Sequence, residues 1–95
     1  MHNAVRDNPQ RHRFELALDG QADGPVAFSN YRRDSNVLTI LHTEVPEALN
    51  GRGIGSALVR GELELARAQG LKVVPVCPFV KAWLGKHPEY GDVVK

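Results

Sequence analysis

Three glycines alternate at positions 51, 53 and 55 within Asn50-Gly51-Arg52-Gly53-Ile54-Gly55-Ser56. Glycines at that spacing let several backbone N–H groups turn onto one concave surface, because no side chain blocks close approach. A helical pattern follows at once, so the unpaired N–H groups of its first turn and the positive end of its dipole face the same way. Arg52 adds charge and Ser56 a hydroxyl. This is the chemistry of a phosphate cradle; the competing reading is a turn used only for close strand-to-helix packing. A Walker loop is excluded, since Gly55-Ser56 has no lysine before its hydroxyl. A dinucleotide fingerprint is excluded too. It needs a glycine where Ser56 stands, and it opens the first strand–helix unit rather than following three strands.

Three other residues carry reactive groups. Cys77 precedes Pro78, and Pro suits the first turn of a helix, so Cys77 falls at the helix N-cap, where a thiolate is favoured. Such a sulphur can be a nucleophile or a proton donor; a buried small hydrophobe is the bland alternative. His42 and Glu44 stand two apart in a strand-like run and share a face if the strand is unbroken. Their bland readings are a partly buried structural histidine and an edge carboxylate. His87 and Glu89 are too few for a metal centre. Trp83, with Phe79 and Val80, reads as core, and Lys81 and Lys86 as solvated, with a possible reach to outer phosphates.

The elements that must position these groups follow from periodicity. Residues 1–10 are polar and without period, a frayed start. Phe14, Leu16 and Leu18 alternate with polar neighbours as a strand with one wet face. Turn residues at Asp19-Gly20 and Asp23-Gly24-Pro25 lead to a second strand, Val26–Tyr31, and a polar connection at 32–36. Val37–Val45 is apolar on both faces over much of its length, the pattern of an interior strand covered on both sides. Ile54, Ala57, Leu58, Gly61, Leu65 and Ala68 recur at helical spacing, and Gly70 suits a left-handed helix end. Leu71–Val76 is a short buried strand, with Pro75 marking a break in pairing. Phe79, Val80, Trp83 and Leu84 form one face of a second helix. The order is β-β-β-α-β-α, an α+β (mixed α/β) chain with a mostly antiparallel sheet.

Ninety-five residues fit one domain, read here as 11–95. The formal net charge of +1 gives no electrostatic case for nucleic acid or an anionic membrane as partner. One cysteine allows no internal disulfide and no multi-cysteine metal cage, and it fits a reducing compartment. No apolar run approaches the roughly 20 residues that span a bilayer, and no signal peptide is evident, so a cytoplasmic protein is expected.

Residues 50–55 resemble the signature of the GNAT superfamily of acetyl-CoA-dependent acyltransferases, except that Asn50 replaces its Gln or Arg. The stretches His42-Thr43-Glu44-Val45-Pro46, Val76-Cys77-Pro78-Phe79-Val80 and His87-Pro88-Glu89-Tyr90 resemble its compact stand-alone members, over roughly residues 14–90. The resemblance implies a minimal GNAT-like fold whose sheet opens as a V beside Val45. It implies acetyl-CoA in that opening, its pyrophosphate on Asn50, Gly51, Arg52, Gly53, Ile54, Gly55 and Ser56, and its pantetheine arm against the backbone near Glu44 and Val45. It implies a base near Glu44 and favours a catalytic role for Cys77, with His42, on the same strand face as Glu44, as the further catalytic candidate. The expected activity is transfer of an acetyl group to an amine, on a small molecule or a protein. A non-catalytic module that binds CoA or acyl-CoA is the alternative, because the chain lacks the helices and hairpin with which larger relatives build an acceptor pocket.

Overall fold

The computed structural model describes residues 5–17, 25–49 and 53–95. Strands β1 (Arg6–Asn8), β2 (Arg13–Ala17), β3 (Val26–Asp34) and β4 (Val37–Glu44) precede helix α1 (Ile54–Ala68). Strand β5 (Lys72–Pro75) and helix α2 (Pro78–Gly85) follow. The five strands form one sheet in sequence order, antiparallel except for the parallel β4–β5 pair. This is the α+β architecture read from the sequence, with one strand more. β1 lies within the stretch read as frayed, and three polar residues have no apolar alternation by which to find a strand. The turns expected across residues 19–24 lie outside the described residues.

One face of the sheet carries Phe14, Leu16, Ala27, Tyr31, Leu38, Ile40 and Val73, all buried. Both helices contribute to the same core, α1 through Leu58, Val59, Leu63 and Ala66 and α2 through Val80 and Trp83. The buried stripe of α1 is Ile54, Leu58, Val59, Glu62, Leu63 and Ala66. The sequence reading rotates that stripe, since Ala57 and Ala68 are exposed. A glutamate in the middle of the true stripe disguises it as polar. Gly70 ends α1 as expected, at φ 70°, with Leu71 N–H donating to the Ala66 carbonyl and Gly70 N–H to that of Arg67. That pairing satisfies carbonyls that the last turn leaves free.

The opposite face is covered by no helix among the described residues. It shields itself: Glu15 accepts from Arg13 at 2.7 Å and Asn8 at 3.1 Å, and the Arg13 guanidinium lies 4.5 Å from the Phe28 ring. β4 is interior in the sheet, as expected, but it is covered on one side only. Tyr31 pairs with Ile40 while its neighbour Asn30 pairs with His42, so Leu41 is a bulged residue with no partner on β3. An extra residue reverses which face each later side chain takes. Leu38 and Ile40 point into the core, and after the bulge Thr43 does so, while His42 and Glu44 turn to the uncovered face. No helix among the described residues is long and apolar enough to cross a membrane.

Candidate active site

β4 and β5 part company after a short run. Their pairing runs from Val37↔Lys72 to Ile40↔Pro75, yet β4 continues to Glu44 beside β3 alone. At the point of parting, the N–H groups of Val76 and Cys77 both converge on the Ile40 carbonyl, at 3.1 and 2.9 Å. Proline at 75 offers no N–H to continue a ladder. Residues 41–44 therefore present a strand edge to a gap, in the stretch leading to Val45 where the resemblance expects the sheet to open.

Three elements wall the gap. On one side is the start of α1. Gly53 is its N-cap at φ 68°, a left-handed conformation that favours glycine, and its carbonyl accepts from Ala57 N–H at 3.0 Å. A Cβ placed on Gly53 would meet nothing within 4 Å among the described residues. Gly55 is different, because a Cβ there would lie 2.8 Å from the Phe79 ring and 3.3 Å from Val45. Gly55 thus lets α1, α2 and the end of β4 close on one another. Ile54 is buried in the core, so its side chain is structural. The Ser56 hydroxyl accepts from Trp83 Nε1 at 2.7 Å, tying α1 to α2. Asn50, Gly51 and Arg52 lie outside the described residues.

Cys77 and α2 form another wall. Cys77 is the N-cap of α2 with Pro78 at the first position, as the sequence indicates, and it is buried. Its thiol donates to Thr43 Oγ1 at 3.4 Å. Beside it stand two apolar side chains in water, Val76 and Phe79, each about half exposed. Phe79, read as core, is instead at the mouth, while Val80 and Trp83 hold the core positions. Trp83 stacks on His87, whose Nδ1 lies 2.8 Å from the Trp83 carbonyl oxygen, which accounts for His87 as a packing residue.

The third wall is β4. His42 Nε2 and Glu44 Oε2 are 3.2 Å apart on the uncovered face, with their side chains 58% and 61% exposed. Across the strands, Arg13, Asn30 and His42 make one row, and Glu15, Phe28 and Glu44 the next. The structure therefore brings His42 and Glu44 together, as their spacing predicts, but separates that pair from Cys77 by the sheet itself. Val45, half-buried, follows the end of β4 and packs against the core beside Gly55.

Glu62 is the residue that sequence reasoning missed. It is fully buried, and its Oε2 accepts from Ser29 Oγ at 2.5 Å. Burial pushes its carboxyl up to about 8, against the opposing hydrogen bond from Ser29. Its neighbours Val59 and Leu63, with Leu58 and Ala66 one turn away on either side, are the signal that places it inward. Elsewhere, a cavity of about 530 Å³ is lined by Asp7, His12, Tyr31, Arg32, Arg33 and Leu41, which places it apart from the α1 and α2 walls of the gap.

Comparison with known proteins agrees with this fold. Residues 13–93 match the family described as GCN5-related N-acetyl-transferase. Protein NATD1 of Mus musculus is 30% identical over 84 residues, which cover 88% of this chain and 76% of that protein. Protein NATD1 of Danio rerio is 30% identical over 88 residues, covering 90% and 79%. The solution structure of a GCN5-like protein from Staphylococcus aureus superposes with a TM-score of 0.70 at 32% identity, covering all of this chain and 91% of that one. With its parted strands, glycine-led helix and nearly complete sequence match, the chain belongs to the GCN5-related N-acetyltransferase family.

Proposed function

We propose that this protein transfers the acetyl group of acetyl-CoA to an amine, with the β4–β5 gap as the seat of the reaction. The observation that carries the reading is the free edge of residues 41–44 between the start of α1 and Cys77. A strand edge pairs with the amides of an extended arm. Here the arm is pantetheine, with Val45, Val76 and Phe79 as apolar flanks. The pyrophosphate falls to residues 50–56, where a left-handed Gly53 leaves open space over the helix N-terminus. This chain's residues fit the coenzyme in that sense.

Cys77 is the nucleophile in this scheme. Its sulphur bonds the acetyl carbon as that carbon's bond to the CoA sulphur breaks, and CoA leaves as the thiolate. The amine then attacks the acetylated Cys77 through the mouth of the gap, beside Val76 and Phe79. Its nitrogen bonds the acetyl carbon, the bond to Cys77 breaks, and the amine's surplus proton passes to solvent at that mouth, since the sheet stands between Cys77 and the His42–Glu44 pair. The exposure of Val76 and Phe79 at the mouth suits an acceptor amine carried on a protein or other large partner. The alternative is a module that binds CoA or acyl-CoA without transfer.

Intact-mass analysis separates the two. With acetyl-CoA and no acceptor, the protein should gain one acetyl group, mapped to Cys77. A panel of amines and lysine peptides should then remove it and become acetylated. Saturable CoA binding with neither self-acetylation nor transfer across the panel would establish the binding module instead.

A further inference from the structure

The Cys77 thiol is one end of a hydrogen-bonded line through the core. Cys77 Sγ is 3.4 Å from Thr43 Oγ1, Thr43 Oγ1 is 2.8 Å from Ser29 Oγ, and Ser29 Oγ is 2.5 Å from Glu62 Oε2. It joins α2 to β4, β3 and α1 in that order. The direction of the middle bond follows from counting hydrogens. A serine hydroxyl has one hydrogen, and Ser29 gives it to Glu62. Thr43 must therefore donate to Ser29, and the thiol to Thr43. Every donor along the line points at the carboxyl. At its far end Glu62 Oε1 is fully buried and has no hydrogen-bond partner among the described residues. An acid kept there for stability would have both oxygens paired, since an unpaired buried polar atom is costly.

We propose that Glu62 is the proton acceptor for Cys77, reached through Ser29 and Thr43. The inference rests on the reading of Cys77 as the nucleophile. The step starts from ionised Glu62, the form present above its raised ionisation at about 8. The Cys77 S–H bond breaks and an O–H bond forms on Thr43. Thr43 passes its own hydrogen to Ser29, and Ser29 passes its own to Glu62 Oε2. One proton has left sulphur and one has joined the carboxylate, so the negative charge moves from Glu62 to Cys77 with no net change. When sulphur later leaves the acetyl group, the same line returns the proton. Glu62 contacts neither coenzyme nor amine; it acts through Cys77, as a positioning and proton-holding residue.

The groups that face this line are few. On α1, Arg60 and Glu64 are exposed and bond Tyr90; on β3, the Tyr31 hydroxyl donates to Asp7; on β2, Arg13 and Glu15 lie on the other face. What shifts Glu62 is burial, against the Ser29 bond, with no charged partner among the described residues. At the start of α2 the facing group is Cys77, while Lys81 of that helix is exposed, and on β4 His42 and Glu44 lie on the opposite face from Thr43.

Alkylation of Cys77 by iodoacetamide, without any coenzyme, tests the proposal on the intact chain. In the parent, the pH–rate profile should show an inflection near the ionisation of Glu62. Glu62→Gln should remove that inflection and slow alkylation above it by at least about tenfold, a floor below the roughly 100- to 10,000-fold that positioned general bases supply. Thr43 gives the control for simple loosening of the fold. Thr43→Val fills the same volume without the hydroxyl and should behave as Glu62→Gln; Thr43→Ser keeps the hydroxyl and should retain the parental profile. Folded Glu62→Gln and Thr43→Val proteins that both keep the parental profile would overturn the relay. Because no acetyl-CoA is present, that result would leave the acetyl-transfer reading standing, and failure of transfer would leave the relay result intact.

Discussion

Cys77→Ala should lower acetyl transfer by at least about 100-fold while CoA binds as before, because a covalent nucleophile contributes to the transition state and little to the ground state. The side chain lost is small, and the backbone role of residue 77 survives, since its N–H still donates to the Ile40 carbonyl and its carbonyl still accepts from Lys81. The N-cap side chain makes no capping hydrogen bond to lose. The fold should therefore tolerate the change well enough for a turnover assay. The measurement is release of free CoA with the best amine acceptor, beside calorimetry of CoA binding. A variant that turns over at the parental rate would remove Cys77 from the chemistry and leave direct attack, with Glu44 as base, as the remaining route.

The largest stability effect should come from Glu62. An unfolded glutamate ionises near its ordinary value of 4.5, whereas burial pushes the folded carboxyl up to about 8. Between those values the folded state holds a proton that the unfolded state has lost, so stability falls as pH rises. It is greatest below the unfolded value and is lost progressively up to the folded one. The loss is on the order of 5 kcal/mol at alkaline pH, comparable to the whole stability of some domains of this size. Glu62→Gln cannot ionise. It leaves an amide donor unpaired in the core, at a cost of about 1–3 kcal/mol. The variant should thus be less stable than the parent at pH 5 and more stable at pH 9. Glu15 and Asp92, both held below their ordinary values, act in the opposite sense, losing their contribution in acid. Both proteins share them, so the difference isolates Glu62. Urea unfolding at the two pH values measures it; parallel curves with no crossing would mean that Glu62 is ionised in the folded state at neutral pH.

Much of this site was legible in the sequence, and the failures share a cause. Cys77 before Pro78, Gly70 at a helix end and the glycines ahead of Ile54 are local signals, each set by the backbone geometry of one or two residues. His42 and Glu44 were legible as a pair because two residues on one strand face stay together whatever precedes them. Which face they take was not legible, because it depends on the bulge at Leu41, and an extra residue shows only against its partner strand. Glu62 was hidden for the converse reason. Its sequence neighbourhood, Gly61-Glu62-Leu63-Glu64, looks like an exposed helix, and the hydroxyl that receives it stands 33 residues away on β3. Phe79 was assigned to the core by spacing alone, while the parting of β4 from β5 leaves it at the mouth of the gap.

The gap itself is the central claim, and backbone amide NMR during titration with CoA tests it most directly. The account predicts the largest shifts at residues 41–45 on β4, 53–56 at the start of α1 and 76–79 around Cys77, with little change along β1 and the cavity beside Arg32. Gly53→Val should abolish those shifts, because its side chain enters the space beside the helix N-terminus and a β-branched residue strains the left-handed backbone there. Saturable CoA binding whose shifts fall elsewhere and survive in a folded Gly53→Val variant would contradict it.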